Sequence, residues 1–313
     1  MSDLVEYLTA KRTVDDRALN RRVWDRFAAE LTATARATDR PLRIVEIGTG
    51  VGSMVARLAE WEALPGTVSY RAIDVDEACV TAASERVPDW LDAAGYEVEA
   101  AGRDGGPTDT HRFTATRAAT DTRLEVSFER ADARAITDEA DAVIAAAFLD
   151  IVDVDRLLCA LRDVLRDGGI LYAPCTYDGA THFSPAHPSD DRIETLYHRH
   201  MDEIRELPGG SRAGRDVLER APEHGYDVTA VGGGDWVVRP REDTLAAYPD
   251  AEGAFLDHLL ETMDGALAEY PDETLDPAVR REWVDARREQ RSRGALTLIA
   301  HHLDLLARVE PDA

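Results

Sequence analysis

The chain has 313 residues, 61 acidic against 36 basic side chains, a formal charge of −25 and 44% hydrophobic residues. That composition suits one large globular domain or two small ones, and its sign argues against a nucleic-acid ligand, because phosphate backbones attract basic surfaces. No stretch of eighteen consecutive apolar residues occurs, which excludes an apolar membrane-spanning helix.

Three cysteines, Cys79, Cys159 and Cys175, stand far apart and make neither a disulfide framework nor a CxxC zinc pair. The N-terminal segment lacks an apolar core behind a basic start, so a cytoplasmic, reduced protein is expected. Lys11 is the single lysine, and all other basic residues are arginine. A surface this acidic repels itself at ordinary ionic strength. At about 1 M salt the Debye length falls to ~3 Å and the repulsion is screened. The balance is that of a cytosolic protein from an extreme halophile.

Residues 4–37 show helical periodicity, with Leu19, Val23, Trp24, Phe27 and Leu31 as inward positions. Leu42 to Ile47 has the apolar density of a buried parallel strand. A glycine-rich loop, a helix over 54–64, a strand over 68–74 and a helix from about 77 to 94 follow. Gly102 to Thr110 reads as a flexible loop. Residues 113–117 and 124–128 read as a hairpin, residues 141–148 as a buried strand and 154–167 as a helix ended by Gly168-Gly169. A strand over 170–176 completes a strand–helix alternation, hence a parallel α/β sheet with helices on both faces. Beyond Tyr177 the pattern loosens. There is a polar insertion over 184–207, a helix over 216–224 and one or two strands over 227–238 around three glycines. Residues 241–293 are helical, and 295–306 read as a last strand.

The chemistry sits at Glu46-Ile47-Gly48-Thr49-Gly50-Val51-Gly52, which closes the first strand and opens a helix. Glycines allow positive φ and let the backbone approach a ligand, and the helix beyond offers free N–H groups. The spacing is not GxGxxG, since residue 53 is Ser53, and no Walker lysine follows, so dinucleotide and NTP sites are disfavoured.

With these residues the chain resembles the class I S-adenosylmethionine (SAM) dependent methyltransferases. Glu46 to Gly52 is similar to that family's first motif, which wraps the methionine part of SAM. Asp74 stands where the family places the acid that binds both ribose hydroxyls, and Val75 where a side chain packs on adenine. Asp132 and Ala133, in Phe128-Glu129-Arg130-Ala131-Asp132-Ala133, match the positions that meet the adenine edge. Asp141 to Leu149 and Leu165 to Leu171 are similar to its fourth strand and fifth-strand entry.

The resemblance implies a Rossmann-like fold with a mostly parallel seven-stranded sheet, helices on both faces and helical insertions. It also implies a single domain over 1–313. An N-terminal helical extension would cover 1–40 and a SAM-binding core 41–180. Helical insertions over 184–207 and 241–293 would form either a substrate lid or a dimerisation surface. The cofactor-binding set it implies is Glu46, Gly48, Thr49, Gly50, Gly52, Asp74, Val75, Asp132, Ala133 and Phe148, with S-adenosyl-L-methionine as the cofactor.

Ligands bind beyond the carboxyl ends of strands in open α/β sheets. Asp150, Tyr177 and His182 are therefore the candidate catalytic residues, with Asp178, Tyr197, His198 and His200 nearby in sequence. No metal is expected, because His198 and His200 do not share a helix face. His301 and His302 point to opposite faces of a strand, one of them into the core. Trp236 reads as a pocket wall or a core residue. Lys11 reads as a ligand of the SAM carboxylate, a role open also to Arg12, or as a lysine without a task.

The Asp/Asn-Pro-Pro-Tyr signature of enzymes that methylate exocyclic or amide nitrogens is absent, with Ala147-Phe148-Leu149-Asp150 in its place. Pro174-Cys175 is similar to the nucleophile segment of RNA cytosine-C5 methyltransferases, but the second cysteine of that pair is missing. The expected function is methyl transfer from SAM to a small-molecule acceptor by in-line displacement. The alternative is a non-catalytic SAM- or S-adenosylhomocysteine-binding regulator or partner subunit on the same fold. The charge makes a direct prediction: the thermal unfolding midpoint rises steeply between about 0.1 M and 1 M salt, and equal midpoints would contradict the halophilic reading.

Overall fold

The computed structural model describes residues 2–105, 109–241 and 247–310. In chain order the elements are α1 (Asp3–Ala18), α2 (Arg21–Arg36), β1 (Leu42–Ile47), α3 (Ser53–Glu60), β2 (Thr67–Asp74), α4 (Glu77–Ala93), β3 (Glu97–Gly105), β4 (Asp109–Arg117) and β5 (Thr122–Arg130). They continue with β6 (Ala140–Ile144), α5 (Val154–Val164), β7 (Leu165–Ser184), α6 (Asp190–Glu203), α7 (Ala213–Arg220), β8 (Tyr226–Val238), α8 (Glu252–Ala268), α9 (Pro277–Ser292) and β9 (Thr297–Val309). None of the described helices is long and apolar enough to cross a membrane.

All nine strands form one sheet in the order β3-β4-β5-β2-β1-β6-β7-β9-β8. The five central strands, β5 to β7 in that order, are parallel, while β3 and β4 at one edge and β9 and β8 at the other join through antiparallel pairings. The sheet is thus mixed, with nine strands rather than a mostly parallel seven. The difference lies at the edges: β3, β4 and β5 follow one another as hairpins, which need no crossover helix, and β9 inserts antiparallel between β7 and β8. The stretch expected as a flexible loop after Gly102 continues β3 to Gly105 and re-enters the sheet as β4 at Asp109, and residues 106–108 lie outside the described set.

β1 is buried on both faces, and its alternation divides the core. Leu42 and Ile44 face the larger cluster, which holds Val23, Trp24, Phe27 and Leu31 of α2 and the apolar sides of α3, α4, α8 and α9. Val45 and Ile47 face the smaller one, with Leu157, Leu158 and Leu161 of α5 and Val217 of α7. The inward positions read from the α2 periodicity are all buried. The α5 helix ends earlier than the glycine pair suggested: Leu165 is already extended (φ −76°, ψ 136°), and Gly168 turns the chain within the entry to β7.

The three glycines of β8 have a packing role. The turn between α1 and α2 lies directly on them, and a Cβ on Gly234 would stand 2.1 Å from the Ala18 carbonyl oxygen. The Asn20 amide donates to Gly233 O at 2.8 Å, while the Asn20 backbone N–H donates to Asp304 of β9 at 2.8 Å. This clasp seats α1 across the carboxyl ends of the central strands. Gly234→Ala has backbone in its way and no flexible group to yield. It should cost about 1–3 kcal/mol of stability, read as a lower denaturant midpoint with an unchanged slope.

Candidate functional site

β1 lies next to β6 on one side and β2 on the other, so the chain reverses its strand order here. Crevices form at such switch points. A cavity of about 1010 Å³ opens there, at the top of the ~300–1,000 Å³ range of small-molecule sites. Its floor is the ends of β1, β2, β5, β6 and β7, and its roof is α1 with parts of α6 and α8.

The glycine loop forms one wall. Gly48, Gly50 and Gly52 all hold positive φ (65°, 53° and 79°). The first two are needed for close approach. A Cβ on Gly48 would meet the Phe148 ring at 2.3 Å, and one on Gly50 would meet Leu8 of α1 at 2.9 Å. Gly52 serves a different purpose. It caps α3, its own Cβ would strike Val87 of α4 at 2.4 Å, and it does not line the cavity. With no side-chain cap, the first N–H groups of α3 remain unsatisfied, and Ser53 and Met54 line the cavity there.

Glu46 is buried below this loop. Its Oε2 accepts from Thr49 Oγ1 at 3.0 Å and from the Tyr70 hydroxyl at 2.8 Å. Burial outweighs these bonds and pushes its carboxyl up to about 7. Asp74, at the end of β2, accepts from the Gly50 N–H at 2.9 Å and the Asp76 N–H at 3.0 Å. Desolvation raises its pKa above the usual carboxylate value. A carboxylate has about four acceptor sites, so these bonds do not exhaust it. Val75 beside it is an isolated apolar side chain, 62% exposed. Asp132 and Ala133 lie at the rim beyond β5, where Arg134 forks onto Asp132 and holds its carboxyl low.

The opposite wall is built at the ends of β6 and β7. Ala147 and Cys175 hold φ of 48° and 55°, unusual for residues with a Cβ. These turns bring Phe148, Asp150 and Tyr177 to the cavity, as the sequence placed them. The Tyr177 hydroxyl is engaged by Thr181 Oγ1 and His198 Nε2, both at 2.7 Å. His182 stands apart from this cavity. Past the bulges of β7 its ring is exposed, 3.4 Å from Glu194, and it lines a separate pocket of about 200 Å³. Asp178 is taken up by Arg215, and Cys175 is a buried thiol whose pKa burial drives well up, unsuited to nucleophilic attack. No metal-binding cluster occurs among the described residues.

The sequence assigned Tyr7 no role and left those of Lys11, Tyr197 and Trp236 open; all four line the cavity. Tyr7 and Lys11 come from α1, and their helix presents Leu4, Tyr7, Leu8, Lys11 and Asp15 to the cavity. That i, i+3, i+4, i+7, i+11 spacing was the available signal. Lys11 is 6% exposed, bonds Asp15 at 2.8 Å and lies 5.0 Å from the Trp236 ring centre. Trp236 donates to the same Asp15 at 2.9 Å and packs on His302, 4.1 Å between centres. Tyr197 of α6 completes the group, and Trp236 both lines the cavity and belongs to the larger core cluster. His302 is held neutral, its pKa pushed down to about 3 by burial and by Lys11.

No family model matches the chain, and no curated protein does. Among solved structures it is similar to a candidate methyltransferase of Bacillus halodurans, at 14% identity and a TM-score of 0.47 over 91% of this chain and 99% of that one. It is also similar to two SAM-dependent methyltransferases in complex with S-adenosyl-L-homocysteine. That of Geobacter sulfurreducens gives 16% identity and 0.41 over 90% of each chain. That of Thiobacillus denitrificans gives 15% and 0.40 over 89% and 90%.

The raised Glu46 carboxyl has a measurable sign. Between its ordinary pKa of 4.5 and about 7 the folded state holds a proton that the unfolded state has lost, so this group's contribution to stability falls as pH rises through that window. Glu46→Gln should therefore be more stable than the parent at pH 8, with the gap closing toward pH 4.5. A gap independent of pH in denaturant titrations would contradict it.

Proposed function

We propose that the chain binds S-adenosyl-L-methionine in this cavity and transfers its methyl group to a small-molecule acceptor. One observation carries the reading: the side-chain-free loop at Gly48 and Gly50 and the Asp74 carboxylate, joined by the Gly50–Asp74 hydrogen bond, open on the same enclosed space. Asp132 and Ala133 stand on the same rim. The group fits the residues present. Asp74 keeps acceptor sites for a ribose diol, and Val75 offers an exposed apolar face for a purine ring. Asp132 and the Ala133 N–H suit a purine edge. The glycine loop and the start of α3 offer N–H groups to the amino-acid end, and Lys11 is a compact cation for its carboxylate.

SAM supplies a methyl group already activated on a sulfonium. What remains for the protein is positioning, which alone is worth a large part of the barrier. Phe148, wedged on Gly48, fixes one side of the reaction space, and α1, pinned by the β8 glycines, closes it from above. Asp150 lies at the end of the β6 segment, within the same cavity. Its pKa is raised by desolvation, so it is the residue best placed to take a proton from an acceptor. The reading takes high salt inside a cell as the working condition, a choice supported by the acid excess of 61 over 36.

The reading is tested by calorimetry with SAM and S-adenosylhomocysteine in multimolar salt. Both should bind, and Asp74→Ala should weaken binding by about tenfold or more, the scale of lost charge-assisted hydrogen bonds. Release of S-adenosylhomocysteine on adding a metabolite extract separates an enzyme from a non-catalytic binder. Absence of heat with either ligand would sink the assignment.

A further inference from the structure

The acceptor side of the cavity carries polar groups that the protein leaves without partners. Asp150 is the first. No other described residue donates a hydrogen bond to its carboxylate, and Oδ1 is wholly without a partner. Arg205 reaches only the Asp150 backbone oxygen, at 2.7 Å. Lys11, the other cation in range, bonds Asp15 and not Asp150. Tyr7 and Tyr197 are the second and third. Both rings line the cavity, both feel the Asp150 charge, and neither hydroxyl has a protein partner among the described residues. Tyr7 is held rigidly, its ring stacked 4.3 Å from His258 and 5.6 Å from Phe255.

We propose that Asp150, Tyr7 and Tyr197 form the binding site for a primary amine on the acceptor, whose remaining body is apolar. The inference rests on the methyltransferase reading for the word acceptor, but the amine site itself stands on these three residues. The chemistry selects among the alternatives. A carboxylate or phosphate on the ligand would be repelled by Asp150. A lone hydroxyl would satisfy one oxygen and leave the remaining acceptor sites unmet in a poorly solvated place. An ammonium has three N–H donors, and this side of the cavity offers the unpartnered Asp150 carboxylate and two phenol oxygens. The aromatic rings also favour a cation near their faces. Both tyrosines are kept as neutral phenols by burial, so their oxygens accept without adding charge. Beyond them Met201, Leu207 and Leu259 offer apolar surface to a hydrocarbon body, with the Arg205 guanidinium, its Nε unpartnered, beside them.

The probe is phenethylamine, titrated by calorimetry in high salt with and without S-adenosylhomocysteine, against 3-phenylpropionate and 2-phenylethanol. The amine should bind at least about tenfold more tightly than the acid or the alcohol. Asp150→Asn should remove that preference, and Tyr197→Phe should weaken the amine severalfold without affecting the alcohol. Thermal midpoints of both variants report whether they fold. Equal binding of the three probes, no binding of the amine, or full amine affinity in a folded Asp150→Asn protein each overturns the amine site. Loss of S-adenosylhomocysteine binding alone, with the amine preference intact, overturns the donor reading instead.

Discussion

At the end of β1 the protein has no room for a β-carbon. Phe148 presses on Gly48 from the β6 side and Leu8 presses on Gly50 from α1, each at a distance that a methyl group would violate. The two contacts define the cavity between them. The loop must turn through positive φ to stay clear of both neighbours, and in doing so it brings the Gly50 N–H onto Asp74. One crowding constraint thus sets the loop, orients the β2 carboxylate and fixes where α1 lies. The cavity is a consequence of bare backbone being packed on two sides.

What holds α1 in place is far away in sequence. The α1–α2 turn rests on three glycines of β8 and on Asp304 of β9. The Asp15 carboxylate then joins Lys11 to Trp236 across the cavity wall. The pair is nearly dry, where a salt bridge gains little net stability because both ions lose water. Its value lies in geometry. A compact ammonium fits between a carboxylate and an indole where a planar guanidinium would need more space. The rest of the chain uses arginine, mostly in pairs nearer the surface such as Arg40 with Asp141 and Arg71 with Glu129.

The parts of the molecule legible from sequence were those governed by local rules. Strand β1 followed from apolar density, α2 from its periodicity, and the loop from glycines that only make sense at positive φ. Asp74 and Phe148 were placed by the family resemblance of the motifs at their strand ends. Less was legible where distant segments decide. The β3–β4 edge was obscured by turn-forming residues, because pairing partners outweigh propensity. Gly232 to Gly234 carried a plain signal of close approach, but nothing local says that Ala18 and Asn20 arrive there. His182 shows the same limit: expected at a strand end, it is carried outside by the bulges of β7. His302 is buried, as one of the adjacent histidine pair was expected to be, and also lines the cavity.

The two halves of the cavity are built from different stock. The wall offered to a nucleoside comes from the ends of β1, β2 and β5, whose backbone is locked into the central ladder. The wall offered to the second ligand comes from α1, α6, α8 and the segment after β6. Those pieces meet mainly through side chains, as in the stacking of Tyr7 on His258. A change at Tyr7 or Tyr197 alters that wall without touching a single hydrogen bond of the sheet. A change at Gly48 or Asp74 alters the ladder end itself. In the proposed reading this separates what the protein must keep from what it is free to vary. The donor half is bound to the fold, whereas the acceptor half can be re-cut while the sheet beneath it stands.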